Sequence, residues 1–146
     1  MGVMCPCGVQ VNATKQGENV KFNGVRGTIT GNLTYLANVC VTTLAASTLS
    51  LVFVDTESPG TFSFMFTAND ITSVTCKRDG QNCVVTVTGT GLIGSREFPF
   101  KAVFRDQVAT AANDIVQSFV ITGFFDQNGA VPVTQGSIVA LGCQAL

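Results

Sequence analysis

The regular alternation of apolar and other residues is the feature of this sequence that most limits its fold. Three stretches, 49–54, 61–67 and 98–105, place Leu, Phe or Ala at every second position. A period of two residues is the repeat of a β-strand that buries one face and exposes the other. We therefore predict a strand in each stretch, with its Leu-rich or Phe-rich face in the core.

Turn-forming residues divide much of the remaining chain into further short strands. Asn23-Gly24, Asp79-Gly80 and Asn128-Gly129 are dipeptides typical of tight turns between antiparallel strands. Further strands are predicted near 18–23, 26–30, 33–43, 71–77, 82–89, 116–125 and 137–142. About eight to ten short strands with regular turns predict an all-β fold, a β-sandwich of jelly-roll type.

Two segments lack this pattern. Residues 1–17 contain Gly, Pro and polar residues with little periodicity, and they are predicted to form a flexible N-terminal arm. The β-sandwich domain is then expected to span 18–146. Residues 106–115 (DQVATAANDI) are the one stretch that could turn helically, and both a loop and one short helix stay open there.

The composition limits the kind of partner that the chain can have. Charged residues make up 12% of it, against roughly 25% in a typical soluble domain, and the formal net charge is −1. So little charge offers no basic surface for phosphates, and no nucleic-acid partner is expected. It also gives copies of the chain little mutual repulsion, which favours association.

The sequence shows no pattern for membrane insertion or for export through the usual channel. No apolar run reaches the roughly 18 residues that cross a bilayer, so no membrane span is expected. No signal-peptide pattern precedes Cys5. We therefore expect a protein that reaches its location without a recognisable signal peptide.

Catalytic chemistry finds little support in the residue types present. The chain contains no histidine, so Ser-His and Cys-His nucleophile pairs cannot form within it. Asp55 and Glu57 are the closest candidates for an acid–base pair of carboxylates. They lie in the stretch 55–60, between two Phe-rich strands, where solvated loop charges are expected. The sequence therefore predicts a protein that is not an enzyme.

Two other patterns match ligand motifs only in part. Residues 126–129 begin like a calcium loop, but the later ligands and the terminal Glu of an EF-hand are missing. Gly89, Gly91 and Gly94 have the spacing of a dinucleotide-binding loop, but no helical pattern follows them. Both are better explained as parts of strands and turns, and we expect no cofactor and no metal.

Cys76 and Cys83 flank the Asp79-Gly80 dipeptide at equal distances. If this dipeptide is the turn of a hairpin, the two cysteines face each other with Cα atoms about 5 Å apart, a distance that a disulfide spans. The sequence thus predicts an intrachain hairpin disulfide. The alternatives are two free thiols, or a metal site shared with Cys5 and Cys7, for which the spacings are unfavourable.

Cys5 and Cys7 are separated by Pro6, which holds the chain extended. Their side chains should therefore point to opposite sides and reach two separate partners. Cys40 lies in a predicted strand, and Cys143 lies near the end of the chain. These four cysteines are candidates for intermolecular disulfides that fasten the arm of one subunit to its neighbours. The alternative is an arm that folds back and bonds within its own chain.

A cysteine-bearing arm at 1–17, followed by a Thr-, Val- and Gly-rich β body that contains Cys40 and Cys143, resembles the subunits of bacterial endospore appendages. These are the disulfide-linked Ena-type fibres. The resemblance covers the arm and the general pattern of the body. It implies a jelly-roll subunit, made without export, whose arm cysteines bond to body cysteines of preceding subunits in an oxidising exterior.

The predicted function is that of a structural subunit of an extracellular fibre, either pilus-like or a spore appendage. Its partners are copies of itself in a helical or stacked homopolymer, at the cell exterior or the spore surface. The alternatives are a monomeric β-sandwich adhesin or carbohydrate-binding module, and a viral jelly-roll structural protein. A sugar-binding face would have to use phenylalanine, because the chain has no Trp and a single tyrosine, Tyr35.

Overall fold

The computed structural model describes residues 5–57, 61–107 and 113–142, which form ten β-strands and one short 3₁₀ segment, Val41–Ala46. The strands are β1 (Gly8–Phe22), β2 (Ile29–Cys40), β3 (Thr48–Asp55), β4 (Phe64–Asp79), β5 (Asn82–Ile93), β6 (Arg96–Asp106), β7 (Asp114–Ile121), β8 (Phe125–Asp126), β9 (Val131–Val133) and β10 (Ile138–Leu141).

Strands β1 to β8 follow chain order around one antiparallel sheet, and this sheet closes on itself. Closure occurs where β8 pairs with the end of β1 and Phe125 lies opposite Phe22. The protein is therefore a closed eight-stranded barrel with two extra strands, and the prediction of a jelly-roll β-sandwich is wrong. Alternation identifies the buried face of each strand, but it does not tell whether that face meets a second sheet or the far wall of the same one.

Three short strands complete the seam between β1 and β7. At one end of the barrel the two residues of β8 bridge β7 to β1. At the other end β9 pairs with β7, and β10 pairs with β1, where Ala140 lies opposite Val9. The seam is thus assembled from the last third of the described chain.

Register shifts bend the longest strands around the barrel. β1 shifts against β2 between Lys15 and Glu18, and β4 shifts against β5 twice between Ala68 and Ser73. Bulges of this kind bend a strand and increase its twist, which a small closed barrel requires. The narrow interior also requires glycine at position 91 in β5, because a Cβ atom there would overlap the ring of Phe66.

Side chains fill the inside of the barrel. Phe66, Phe100 and Phe119 contact one another across it, with ring centroids 5.4–6.2 Å apart. Burying a side chain of this size contributes roughly 1.5–3 kcal/mol. Five aromatic side chains of this core are at most 1% exposed: Tyr35, Phe53, Phe66, Phe104 and Phe119.

Residues 8–17 form part of a strand where an arm was predicted. β1 begins at Gly8, pairs with β2 along most of its length and pairs with β10 at its start. Val9, Val11 and Ala13 are buried and alternate with exposed residues. The prediction of a flexible arm at 1–17 is therefore wrong over 8–17. The alternation is hard to recognise in the sequence because the small apolar side chains lie among Gly and polar residues. Residues 1–4 lie outside the described residues.

The segment 106–115 belongs to strands at both of its ends, since β6 ends at Asp106 and β7 begins at Asp114. Residues 108–112, where a loop or a short helix was expected, lie outside the described residues. Helical structure occurs at Val41–Ala46, at the end of the strand predicted for 33–43. The hydroxyl of Ser47 closes this segment by donating to the carbonyl oxygen of Thr43 at 2.9 Å.

Candidate functional site and interaction surfaces

Two disulfides lie at one end of the barrel, which we call the cysteine end. It contains the start of β1, the end of β2 and the β4–β5 hairpin. Cys5 is bonded to Cys40, and Cys7 is bonded to Cys76. The Cα–Cα distance is 5.8 Å in both pairs, within the ordinary range for disulfides.

Residues 5–7 connect two strands that are not neighbours in the barrel. Cys40 ends β2 and Cys76 lies in β4, while β3 runs between them. The main-chain N–H of Val41 also donates to the carbonyl oxygen of Cys7 at 2.9 Å. The start of the described chain is therefore fastened across the cysteine end at three points.

Both bonds are intramolecular, so the structure does not join Cys5, Cys7 and Cys40 to other subunits as predicted. The side chains on either side of Pro6 do reach two separate partners, but both partners belong to the same chain. The alternative prediction, an arm that folds back and bonds within its own chain, agrees with the bonds of Cys5, Cys7 and Cys40. β1 makes these bonds possible because it places the start of the described chain beside β2. Cys143, the fourth candidate, lies outside the described residues.

The hairpin with Cys76 and Cys83 has a different register from the predicted one. Its turn is Gly80-Gln81, one residue later, so Cys76 faces Val85. Gly80 has a φ of 64°, which suits a two-residue turn with Gly at its first position. The predicted Cys76–Cys83 disulfide is absent because Cys76 is bonded to Cys7, and Cys83 is disulfide-bonded as well.

The loop after β3 is organised by Asp55. This side chain is buried, so the prediction of a solvated loop charge is wrong for it. Its carboxylate accepts the main-chain N–H of Glu57 at 2.9 Å and of Phe62 at 3.3 Å. The carboxylate of Glu57 is exposed and accepts the main-chain N–H of Thr30. Asp55 therefore binds main-chain N–H groups of the loop and Glu57 binds one of β2, and both roles are structural.

Two further buried carboxylates, missed in the sequence, hold β10 in the seam. Asp114 accepts the main-chain N–H of Gly136 at 2.8 Å and of Ile138 at 2.9 Å. Asp106 accepts the main-chain N–H of Ala140 at 2.9 Å. The N–H groups of Ile138 and Ala140 belong to the edge of β10 that faces away from β1, and Gly136 lies in the turn just before β10. A signal exists, because both Asp residues are in phase with the buried positions of β6 and β7.

Tyr35 and Gln127 form a further buried polar contact inside the barrel. The phenol of Tyr35 donates to Gln127 Oε1 at 2.7 Å. Gln127 Nε2 donates to the carbonyl oxygens of Val116 at 2.7 Å and Gly129 at 2.8 Å. Burial, and secondarily the charge of Glu18, raises the pKa of Tyr35. Gln127 thus connects Tyr35 of β2 to Val116 of β7 and to Gly129, which lies in the seam.

The outer faces of β2 and β3 carry no charged side chain, and Met65 and Thr67 on β4 are uncharged as well. Exposed acids border this area at β5, where Asp70 lies opposite Thr90 and Glu97 lies opposite Leu92. Val52 lies near the centre of this surface, opposite Thr34 on β2 and Met65 on β4. Met65 is 60%, Val54 49% and Leu36 46% exposed. We call this surface the uncharged wall, and its members are Asn32, Thr34, Leu36, Asn38, Thr48, Ser50, Val52, Val54, Met65, Thr67, Thr90 and Leu92.

The other end of the barrel, which we call the phenylalanine end, is built around Phe22. The ring of Phe22 has five aromatic neighbours at centroid distances of 5.3–5.8 Å. Phe62, Phe64 and Phe124 are only half-buried, so part of the cluster faces solvent. The members of the cluster are Phe22, Phe53, Phe62, Phe64, Phe98, Phe124 and Phe125.

A surface hollow of about 210 Å³ lies beside this cluster. Phe22, Phe62 and Phe124 line its apolar side. Its polar side consists of Asn23, Thr61 and Ser63. On the other side of Phe124 lies a second hollow of about 200 Å³, which includes Lys21 and Asp126.

Within residues 5–57, 61–107 and 113–142, no helix is long and apolar enough to cross a membrane. The same part of the chain places no group of three or more Cys, Asp or Glu side chains where they could hold a metal ion. No family model, no curated protein and no solved structure matches the chain, and the resemblance to endospore appendage subunits therefore stays a prediction.

Proposed function

We propose that the protein is a structural subunit that associates with copies of itself through the uncharged wall, in an extracellular fibre or surface layer. The observation that carries this proposal is the combination of exposed apolar side chains with a lack of charge on the outer faces of β2 and β3. Exposed Met65, Val54 and Leu36 all belong to this surface. Met65 lies opposite Val52, and Val54 follows Val52 on the same face of β3. Exposed apolar patches mark interaction sites in soluble proteins.

Association through the wall has a favourable physical basis. Two such surfaces bury Met, Val and Leu side chains without removing any charge from water, and desolvating charges is the main cost of polar interfaces. The wall's Thr, Ser and Asn side chains can hydrogen-bond across the contact, directly or through water. A formal net charge of −1 adds little repulsion between copies.

The closed sheet favours contact between faces over the addition of strands. A barrel leaves few unpaired strand edges, so a neighbour cannot extend the sheet as it could at an open edge. Residues 5–7 are bonded to their own barrel, which supports docking without an exchanged arm. The proposal therefore keeps self-assembly and replaces intermolecular disulfides with contacts between walls.

The disulfides support a location outside the reducing cytosol. Structural disulfides persist in oxidising surroundings, and intramolecular ones are compatible with an extracellular protein. Cross-links inside each subunit also suit a polymer that must survive outside the cell. The resemblance to appendage subunits implied a jelly roll with intermolecular disulfides, so an isolated dimer stays the alternative to a fibre. The viral alternative depended on a jelly roll and has lost that basis.

The test compares a wall variant with a matched change on another face. Met65→Glu introduces a negative charge into the wall, and Lys101→Glu reverses the charge at an exposed position of β6. Sedimentation velocity and negative-stain electron microscopy of the oxidised full chain at neutral pH measure association. We expect polymers for the wild type and Lys101→Glu, and at least tenfold weaker association for Met65→Glu. A wild type that stays monomeric at millimolar concentration contradicts the proposal.

A further inference from the structure

We infer that the hollow beside Phe62 and Phe124 binds a single neutral sugar ring. This site lies at the phenylalanine end, away from the cysteine end, and does not include the uncharged wall. The inference therefore goes beyond self-association. It gives the subunit a surface that can attach to a glycan.

The size of the hollow suits one ring. About 210 Å³ is less than the roughly 300–1,000 Å³ of sites for drug-sized ligands. The hollow is shallow and open to solvent, so a longer glycan could continue outward from a terminal ring. A ligand of several fused rings would extend beyond its aromatic walls.

The lining has two kinds of surface, which match the two kinds of surface on a sugar. The partly exposed rings of Phe62 and Phe124 can pack against the C–H face of a pyranose. Asn23, Thr61 and Ser63 form the polar side, where sugar hydroxyls would lie. An apolar ligand would cover these polar groups without replacing their hydrogen bonds to water, at a cost in free energy.

The polar groups of the hollow have unused hydrogen-bonding capacity. Asn23 and Thr61 are exposed, and no described residue hydrogen-bonds to the side chain of either one. Ser63 Oγ accepts the main-chain N–H of Asp55 at 2.9 Å. The Ser63 hydroxyl proton is then available to donate to another acceptor. Together these groups can both donate to and accept from vicinal sugar hydroxyls.

Charge separates this hollow from the one on the other side of Phe124. No described residue that lines it carries a charge, whereas the second hollow includes Lys21 and Asp126. A site without charge has no means of selecting an anionic sugar over a neutral one. We therefore assign the site to a neutral sugar and not to a uronic acid or a phosphorylated sugar.

The aromatic walls are held in place before a ligand arrives. The Phe124 ring lies 5.1 Å from Phe64 and 5.6 Å from Phe22, nearly perpendicular to both rings. Phe62 packs on Phe22 at 5.3 Å. Since these contacts fix the rings in the free protein, binding loses little side-chain entropy.

The experiment is an NMR titration of the oxidised full chain with methyl β-glucopyranoside, methyl β-galactopyranoside and N-acetylglucosamine. The signals followed are the Phe ring C–H groups and the Asn23 side-chain amide. We expect saturable shifts at these signals for at least one sugar, with a Kd on the order of 1–10 mM for so small a ligand. Phe124→Leu keeps an apolar side chain but removes the stacking surface, and Asn23→Ala removes the amide. Each should weaken binding about tenfold or more.

Controls separate this inference from the proposed function. Met65→Glu, which lies outside the hollow, should leave the titration unchanged even where it abolishes association. Conversely, Phe124→Leu should leave sedimentation unchanged, and its circular dichroism confirms that the barrel has folded. The inference is overturned if no sugar gives saturable shifts up to about 100 mM, well above the expected Kd. It is also overturned if cyclohexanol saturates these signals while the sugars do not.

Discussion

The carboxylate of Asp114 accepts the main-chain N–H of Ile138 at 2.9 Å, and this contact fastens β10 across the seam of the barrel. The same side chain accepts the N–H of Gly136 at 2.8 Å and of Gln107 at 2.9 Å. Together with Asp106, which accepts the N–H of Ala140, Asp114 thus replaces the strand that would otherwise pair with this edge of β10.

Asp114→Asn is expected to destabilise the protein by about 1–3 kcal/mol, because the amide nitrogen is a donor and cannot pair with a main-chain N–H. Urea unfolding monitored by circular dichroism measures the change. Asp70→Asn, at an exposed position of β4, is the matched control and should change stability by less than about 0.5 kcal/mol. Equal effects for the two variants would show that Asp114 does not hold the seam.

The single tyrosine gives a pH-dependent prediction. Burial raises the pKa of Tyr35 in the folded chain, so the folded state keeps the phenolic proton after the unfolded chain has lost it. The free energy of unfolding is therefore unaffected by Tyr35 ionisation below about pH 10, the usual pKa of tyrosine, and it decreases as the pH rises above that value. Phenolate absorbance should therefore appear together with unfolding in an alkaline titration. Phenolate formation in a chain that is still folded would contradict this.

Tyr35→Phe provides the control for that titration. It removes the group that titrates, so the part of the alkaline loss of stability that comes from Tyr35 should disappear. At neutral pH the variant should be less stable by about 1–3 kcal/mol, because Gln127 Oε1 loses its donor inside the protein. Unfolding curves at neutral and alkaline pH separate the two effects.

The two described disulfides should differ in their contribution to stability. Cys7–Cys76 spans 69 residues and Cys5–Cys40 spans 35. Loop-closure entropy makes the longer link more stabilising by roughly 0.6 kcal/mol, within a total of about 2–4 kcal/mol for each. Thermal unfolding of the paired variants Cys7→Ser/Cys76→Ser and Cys5→Ser/Cys40→Ser measures the contribution of each disulfide to stability and the difference between them.

Peptide mapping without reductant gives an independent check on these bonds. It should recover Cys5 linked to Cys40 and Cys7 linked to Cys76, and a non-reducing denaturing gel should show a monomer. A ladder of covalent oligomers that collapses with reductant would instead restore the intermolecular disulfides. Material assembled into polymers should be mapped as well, since the same pairings are expected there.

The contact between Gly91 and Phe66 predicts a reciprocal pair of substitutions. Gly91→Ala should destabilise the barrel by about 1–3 kcal/mol, because its methyl group overlaps the Phe66 ring. Phe66→Leu removes the ring and should itself be destabilising, since Phe66 is fully buried. The double variant should lose less than the sum of the two, and a double-mutant cycle measures the difference. Strict additivity would mean that the two positions do not clash.

The strands were predictable from the sequence, whereas the way in which they close was not. Phe53, Phe66 and Phe104 occupy the buried positions that their alternation indicates. Closure depends on two residues of β8 and on the short strands β9 and β10, which are too short for any periodicity to show. A sandwich and a barrel therefore predict the same pattern along the longer strands.

The candidate surfaces were predictable only in part. The intramolecular bond between Cys7 and Cys76 joins residues far apart in sequence, and their proximity follows from the path of β1 to β4 around the barrel. The hairpin register differs from the predicted one because the turn begins at Gly80 and not at Asp79. Asp106 and Asp114 were predictable in principle, since each continues the buried phase of its strand.

Closure by β8 also has a consequence for synthesis on the ribosome. A growing chain that ends before Phe125 contains seven of the barrel's strands but has no partner for the end of β1. Until then it is a curled sheet whose first and last strands are both exposed to neighbouring nascent chains. Translation must therefore pass this residue before the molecule can protect itself from wrong pairing.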